Sequence, residues 1–295
     1  MENFTHYQRQ KGFAENSIRA NKHSILQFLH WLESESFSID TVGYNELMLF
    51  VNYCKIKGNK SNTIRMKIKS LSHYFDFLSQ ASTKIRDNPA TLVKLKGQTR
   101  NIPHNLFEKE ELLEIYALQH SKGLVGKRDK VLLSLVVFQG VGSTELEKIE
   151  LKDLDLQNAS IYVPSTRNTN SRTLELKPIQ LLLFQDYVTQ TRREILKETT
   201  RQSDKLLVSL GMGTKETLHN VIARILQQIK PRYPKLKSMQ QIRQSVITHW
   251  IAEQGLRQAQ YMAGHKFVSS TERYNVERLD GLKSEIEQHF PRISS

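Results

Sequence analysis

The sequence has almost no cysteine and no long apolar run. Cys54 is the only cysteine, which excludes a disulfide framework and a zinc site built on cysteines. This usage is typical of proteins from a reducing, intracellular compartment. No apolar run approaches the roughly 18 residues that a membrane span needs, and the N-terminal residues 1–4 do not begin a signal peptide. We therefore expect a cytoplasmic protein without a membrane segment.

Acidic residues are too few to balance the basic ones. The chain of 295 residues contains 43 Lys and Arg but only 30 Asp and Glu, which gives a net charge of +13. Residues 1–100 carry +7 of this excess and the remaining residues carry +6. A solvated surface would explain part of this excess, but basic character along the whole chain indicates a polyanionic partner, most often nucleic acid. The length predicts two domains.

The first hundred residues read as helices with one strongly basic stretch. Ile64, Ile68, Leu71, Phe75 and Leu78 recur at steps of four and three residues, which predicts an amphipathic helix. Six basic residues with no acidic residue among them precede this helix or lie on its polar faces. They favour contact with DNA phosphates over an ordinary solvated helix face. These residues are Lys55, Lys57, Lys60, Arg65, Lys67 and Lys69.

The rest of the chain mixes helices with a short hairpin. Residues 98–106 are polar and basic and predict a linker between a helical domain at 1–97 and a second domain at 107–295. Residues 158–164 and 172–176 read as two strands joined by a turn, and helices are predicted at about 179–198, 214–229 and 238–254. The predicted fold class is mainly α with a small antiparallel β-sheet.

The strongest chemical signal is a set of polar residues near the C-terminus. Arg243 is followed by the Gly264-His265 pair and, nine residues after that histidine, by Tyr274. Arginine offers a charged fork that matches two phosphate oxygens. Histidine can donate a proton or a hydrogen bond near neutral pH, and tyrosine can attack phosphorus and hold it covalently. The set therefore points to phosphodiester chemistry.

These residues and their spacing resemble the C-terminal signature of the tyrosine recombinases, the phage integrase family. The resemblance extends over nearly the whole chain, from a helical core-binding (SAM-like) domain through a basic linker to a larger catalytic domain. It implies that both domains clamp double-stranded DNA and that a strand is transferred through a 3′-phosphotyrosine with a 5′-hydroxyl leaving group. It implies no metal or cofactor, because arginine and lysine supply the positive charge.

The resemblance also assigns roles to individual residues. Tyr274 matches the nucleophile, Arg243 the second of two arginines, and His265 the residue that hydrogen-bonds the scissile phosphate. Glu145 matches the acidic residue one helical turn after the first arginine. Arg167 matches a lysine in the hairpin turn.

Besides Arg167, three positions depart from the family pattern. Gly142 stands where the first arginine belongs, and Gln240 and Gln244 stand where the family has histidines. Glutamine can form hydrogen bonds but cannot shuttle a proton. Four cations nearby in the sequence are candidate substitutes for the missing arginine, and the sequence alone does not choose among them. They are Arg128, Lys148, Lys152 and Lys266.

The segment after Tyr274 carries an apolar stripe of Leu279, Leu282, Ile286 and Phe290. Such a stripe either folds back on its own domain or docks on a neighbouring protomer. The resemblance favours docking, since these enzymes work as tetramers on paired DNA sites.

Three hypotheses follow. The first is a site-specific recombinase, an integrase or transposase of a mobile element, with a modified active site. The second is a DNA-binding relative that has lost cleavage and acts as an accessory or regulatory protein. The third is a topoisomerase-like enzyme that nicks and closes DNA without exchanging partners. The sequence does not name the DNA target.

Overall fold

The protein divides into two units, Met1–Thr99 and Arg100–Ser295, each with its own hydrophobic core. The computed structural model describes residues 1–81, 87–95, 105–119, 122–199, 202–210 and 218–275. The units are mainly helical, with one small antiparallel sheet, so the predicted fold class is confirmed. No helix in these described ranges is long and apolar enough to cross a membrane.

The first unit consists of helices that close around an aromatic-rich core. The predicted apolar stripe lies inside: Ile64, Ile68, Leu71 and Phe75 are all buried, because steps of four and three residues place them on one helix face. The helices are α1 (Glu2–Gln10), α2 (Glu15–Ser34), α3 (Tyr44–Ile56) and α4 (Ser61–Ala81), with 3₁₀ turns at Ile39–Thr41 and Pro89–Leu92.

The second unit surrounds a buried helix with shorter helices and the sheet. One apolar helix of this unit is buried on most of its faces and ends at Gly140, whose φ of +55° favours glycine. A Cβ at this position would lie 3.0 Å from the ring of Trp250. The helices are α5 (Lys109–Leu118), α6 (Gly123–Gln139), α7 (Ser143–Leu146), α8 (Pro178–Asp186), α9 (Arg192–Thr199), α10 (Leu218–Ile229), α11 (Met239–Ala263) and α12 (Val268–Glu272), with a π-helical turn at Tyr187–Thr191.

The sheet has three antiparallel strands in the order β1 (Leu154–Asp155), β2 (Ser160–Val163) and β3 (Arg172–Glu175). The predicted hairpin is therefore present, and β1 is an additional edge strand. The register pairs Val163 with Arg172 and Ile161 with Leu174. Because side chains alternate along a strand, all four lie on the buried face of the hairpin. An arginine thus lies on the face that packs into the core.

Two predicted helices differ in extent from the observed ones. Residues 214–217, the start of a predicted helix, lie outside the described residues, and that helix is observed from Leu218. The helix predicted to end near residue 254 instead resumes after Gly255, which interrupts it with φ +80° and ψ 167°, and runs on to Ala263. A single non-helical glycine therefore kinks α11 without ending it.

Candidate active site

The second unit contains a cavity of about 590 Å³ between the β2–β3 turn and the ends of α11 and α12. All six residues that the family resemblance assigned to catalysis line it, although they are spread over 130 positions of the sequence. They are Glu145, Arg167, Gln240, Arg243, His265 and Tyr274.

Tyr274 lies in the turn after α12 and packs against His265. The two rings are stacked, with centroids 5.8 Å apart and planes 13° apart. Tyr274 is only 1% exposed, and its main-chain N–H donates to Thr271 at 2.9 Å, which fixes the turn. The phenol is thus held against the imidazole at the wall of the cavity.

His265 is a neutral side chain at physiological pH. Burial, together with the positive charges of Arg243, Arg273 and Arg172, lowers the pKa of His265 to about 4. Its Nδ1 lies 2.8 Å from the Thr271 hydroxyl. When Nδ1 accepts the hydroxyl hydrogen, Nε2 carries the imidazole proton and can donate it in a hydrogen bond.

Glu145 is buried between two arginines. Its Oε1 accepts a hydrogen bond from Arg172 Nη1 at 2.6 Å, and its Oε2 accepts one from Arg243 Nη1 at 2.7 Å. Burial would raise the pKa of Glu145, but the hydrogen bond from Arg172 and the charges of both arginines hold it below its usual range. The three side chains together carry a net charge of +1.

Arg243 is positioned by two further contacts, both with main-chain carbonyl groups. Its Nη2 donates to the carbonyl of Ala263 at 2.7 Å, and its Nη1 also donates to the carbonyl of Gly140. The guanidinium therefore joins the ends of α6 and α11 to the start of α7. Burial lowers the pKa of Arg243 while the charge of Glu145 raises it, and an arginine stays protonated in either case.

Arg172 was not identified as a site residue from the sequence. Its side chain is fully buried, and its Nε donates to the carbonyl of Met262 at 2.6 Å. It does not line the cavity, so it neutralises Glu145 from behind rather than facing the substrate. The sequence did indicate that Arg172 is buried, because alternate residues of a strand lie on the same face and Arg172 shares the inward face of β3 with Leu174.

Gly264 leaves the space that Arg172 fills. A Cβ on Gly264 would lie 2.4 Å from Arg172 Nη1, and its φ of +68° is itself unfavourable for other residues. The same glycine accepts a hydrogen bond from the Asn170 main-chain N–H at 2.8 Å. The Gly-His pair of the sequence signature is therefore also the surface on which the β2–β3 turn docks.

Gly142 has ordinary extended backbone angles, with φ −83° and ψ 159°, which any residue can adopt. A Cβ at this position would lie 3.3 Å from Glu145 Oε2 and 3.5 Å from Arg243 Nη1. A side chain here would therefore point at the paired charges of the site. The glycine leaves that position without a donor.

Of the four cations considered as substitutes, Lys266 lines the cavity. Its Nζ donates to the carbonyl of Arg167 at 2.9 Å. Arg128 is buried against Asp129, and Lys152 pairs with Glu150. Lys148 donates to the carbonyl of Ser165. These three side chains therefore serve contacts elsewhere in the unit.

A further arginine, Arg273, reaches the cavity without having been predicted. Its Nη2 donates to the Tyr274 hydroxyl oxygen at 2.9 Å, and its guanidinium carbon lies 4.9 Å from the tyrosine ring centroid. The sequence places it beside Tyr274 but carries no sign of which way its side chain turns. Gln240 is exposed at the cavity rim, and Gln244 is half-buried and does not line the cavity.

The basic residues of the first unit differ in how free they are. Lys67 is half-buried and donates to Asn59 Oδ1 at 2.9 Å, and Arg65 donates to the carbonyl of Leu95 at 3.2 Å. The remaining four side chains are exposed. They are Lys55, Lys57, Lys60 and Lys69.

Models of known families match both units. The phage integrase family matches residues 105–279, and the N-terminal SAM-like domain of phage integrases matches residues 1–82. Among curated proteins, the tyrosine recombinase XerC of Bacillus subtilis is 26% identical over 289 residues, with 97% of this chain and 93% of that protein covered. XerC of Anoxybacillus flavithermus is 23% identical over 293 residues, covering 97% of this chain and 95% of its own.

Solved structures share the fold. The XerH recombinase bound to palindromic difH in a post-cleavage complex has a TM-score of 0.71 and 18% identity, covering 92% of this chain and 79% of that one. The Tn1549 transposon integrase in complex with transposon right end DNA has a TM-score of 0.66 and 18% identity, covering 97% of this chain and 98% of that one. With the family model matching more than half of its length, the chain belongs to the phage integrase family of tyrosine recombinases.

Proposed function

We propose that this tyrosine recombinase breaks and rejoins DNA at specific sites through a covalent bond between Tyr274 and a 3′-phosphate. One observation carries the proposal: Arg243, His265 and Tyr274 line a single cavity, with the tyrosine ring stacked on the imidazole. The relatives include XerC recombinases and the integrase of a transposon. An integrase or transposase of a mobile element is the form of recombinase that we propose.

The arrangement fits the charge that the reaction develops. Attack of the phenol oxygen on phosphorus gives a five-coordinate transition state with extra negative charge on the non-bridging oxygens. Donors fixed in advance around those oxygens stabilise it without reorganisation. Arg243 is fixed by Glu145 and by two carbonyl groups, and His265 is held neutral, so both can donate hydrogen bonds.

The rim residues complete this assignment. Arg167 is exposed in the β2–β3 turn, where it keeps the charge of the family's lysine but not its ability to give up a proton. Gln240 offers an amide to the phosphate. Loss of one donor from such a site lowers the rate by about 10²–10³, so the glycine at position 142 does not by itself rule out cleavage.

A covalent adduct is the test of this function. The protein is incubated with a nicked suicide substrate of its own site, and the products are separated on a denaturing gel. A protein–DNA adduct that disappears in Tyr274→Phe supports the recombinase. If wild type forms no adduct while retaining binding, the chain is instead a DNA-binding relative that has lost cleavage, as Gly142 and the two glutamines would allow.

The DNA partner follows from charge. We propose that Lys55, Lys57, Lys60 and Lys69 contact DNA phosphates, whereas Lys67 serves the first unit itself. Each phosphate contact adds about 0.9 to the slope of log K against log salt concentration. Replacing the four exposed lysines with glutamine should lower that slope, measured by fluorescence anisotropy, by as much as about 3.6. Lys67→Gln is the matched control and should leave the slope unchanged.

We further propose assembly as a homotetramer on paired sites through the C-terminal segment. The stripe of Leu279, Leu282, Ile286 and Phe290 lies outside the described residues, and its docking on a neighbour stays a prediction. An apolar groove on the second unit has the chemistry to receive it. This groove is lined by Leu112, Leu113, Val137, Phe138 and Trp250.

Deletion of residues 279–295 should leave single-site binding intact and weaken paired-site complexes in a gel-shift assay. Leu113→Glu, on the receiving groove, should have the same effect, since Leu113 is exposed there. Unchanged pairing in both variants would contradict the docking. The place of action that fits these partners is the cytoplasm, on the nucleoid.

A further inference from the structure

We propose that Arg273 is an additional catalytic residue, which contacts the nucleophile and supplies the positive charge that Gly142 lacks. The proposal deepens the proposed function, because it rests on Tyr274 attacking a phosphate in this cavity. The proposal is based on the hydrogen bond of 2.9 Å from Arg273 Nη2 to the Tyr274 hydroxyl oxygen. Arg273 is therefore bound to the atom that reacts.

The other arginines of the site already have roles: Arg172 and Arg243 are held by groups of the protein, and Arg167 stands in the place of the family's lysine. Arg172 has no exposed side-chain surface, and its guanidinium is used by Glu145 and by the carbonyl of Met262. Arg243 divides its donors between Glu145 and two carbonyl groups. An arginine at position 142 would have two roles, which are to balance the charge of Glu145 and to face the phosphate. Arg172 already balances Glu145, so only the cation that faces the phosphate is still missing.

Arg273 meets that need by position and by charge. It lines the cavity, it is exposed, and within the described part of the chain no carboxylate forms a salt bridge with it. Its guanidinium lies beside the tyrosine ring, 4.9 Å from the centroid, which keeps it near the hydroxyl. Lys266 also lines the cavity, but its ammonium is bound to the carbonyl of Arg167 rather than to the nucleophile.

The chemical consequence follows from the balance of the step. The Tyr274 oxygen forms a bond to phosphorus, the bond from phosphorus to the 5′-oxygen breaks, and that oxygen leaves with the electron pair. The phenolic proton passes to solvent, and the leaving oxygen takes a proton from solvent. A guanidinium on the phenol oxygen stabilises the negative charge there, and its remaining N–H groups face a phosphate that has come within bonding distance of that oxygen.

The experiment is single-turnover cleavage of a suicide substrate at saturating DNA concentration. Arg273→Ala should slow adduct formation by about 10²–10³, the effect of losing one fixed donor, and Arg273→Lys should recover part of the rate as a point charge. Arg257→Ala removes an exposed arginine of the same unit outside the cavity, and its rate should match wild type. Because Arg273 is exposed, its replacement should not change the urea midpoint of unfolding.

Modified substrates then separate charge from positioning. A methylphosphonate at the scissile position removes one negative charge, so the ratio of wild-type to Arg273→Ala rates should shrink to within about tenfold. A 5′-bridging sulfur needs no proton on leaving, so it should leave that ratio unchanged. An Arg273→Ala rate within threefold of wild type, or an equal deficit on the methylphosphonate, would overturn the proposal. If wild type forms no adduct at all, the proposed function itself fails.

Discussion

Replacing Arg172 with methionine removes a buried guanidinium that does not line the cavity, and it should lower both stability and activity. Methionine keeps much of the volume of the side chain but none of its donors. Glu145 then loses two hydrogen bonds, from Arg172 Nη1 at 2.6 Å and from Nη2 at 3.3 Å, and the carbonyl of Met262 loses one at 2.6 Å. Glu145 is buried and the carbonyl of Met262 is partly buried, so water has little access to replace the lost donors.

The magnitude can be worked from those contacts. A buried acceptor left without a partner costs about 1–3 kcal/mol, and breaking a buried ion pair by removing one member costs about 3–5 kcal/mol. The acceptors of Arg172 overlap with the ion pair, and Arg243 stays to balance the charge of Glu145. We therefore expect the free energy of unfolding to fall by about 3–5 kcal/mol.

The assay uses the two tryptophans of the chain, of which Trp31 lies in the first unit and Trp250 in the second. In a Trp31→Phe background, fluorescence during urea unfolding reports on the second unit alone. Arg167→Met is the matched control, since this arginine of the same hairpin is exposed. Its unfolding free energy should change by less than about 0.5 kcal/mol, while its DNA cleavage should slow.

An Arg172→Met variant that loses less than about 1 kcal/mol and cleaves DNA normally would refute the reasoning. It would mean that Arg243 alone suffices to hold Glu145. A variant that loses stability but keeps its cleavage rate at low temperature would confine Arg172 to folding. Equal stability losses in Arg167→Met and Arg172→Met would show that the buried face of β3 is not what matters.

Three further predictions follow from the same site. Folding lowers the pKa of His265 to about 4, so between pH 6.5 and pH 4 the unfolded chain binds a proton that the folded chain does not. The unfolding free energy should therefore drop by about 3 kcal/mol as the pH falls across this window. His265→Gln should flatten that dependence in urea titrations at several pH values, and an unchanged slope would contradict the assignment. Gly264→Ala should cost more than about 2 kcal/mol because it combines a left-handed backbone with a clash against Arg172; Gly123→Ala, with φ +65° and no atom within 4 Å, should show the smaller cost of the backbone alone. Gly142→Arg should change the rate of single-turnover cleavage by less than about tenfold, because Arg273 already supplies the charge that Gly142 lacks; cleavage faster by about tenfold or more would show that the missing donor has not been replaced.

Parts of the fold could be predicted because apolar residues that become buried recur at the spacing of a helix or a strand. The apolar residues of α4 recur at steps of four and three residues, and four of the five are buried on one face of the helix, as predicted. The hairpin was also predicted from two short runs around a turn. The end of the long helix was missed because Gly255 marks a kink, and a glycine in a helical pattern does not by itself say whether the helix resumes.

The candidate site contains some residues that could be predicted from the sequence and others that could not. Tyr274, His265 and Arg243 could be singled out because their chemistry is distinctive and they lie close together in the sequence, within residues 243–274. Arg172 was missed because its burial depends on the pairing of two strands and on the absence of a side chain at Gly264, which is more than ninety residues away. Arg273 was missed because neither composition nor spacing tells which way its side chain turns.

The basic residues of the first unit show the same limit. Lys67 and Arg65 looked equivalent to their neighbours, yet each is engaged by a polar group of its own unit. Sequence distance gives no sign of such partners. Charge density therefore predicted a polyanionic partner, and the contacts separate the side chains that are exposed from those that hold the unit together.

The most direct test of the account is to find which tyrosine becomes linked to DNA. The adduct from a suicide substrate is digested with nuclease and trypsin, and the modified peptide is identified by mass spectrometry. We expect a nucleotide-bearing fragment from within residues 267–278, where Tyr274 is the only tyrosine. A modification on any other tyrosine, or an adduct that persists in Tyr274→Phe, would contradict it.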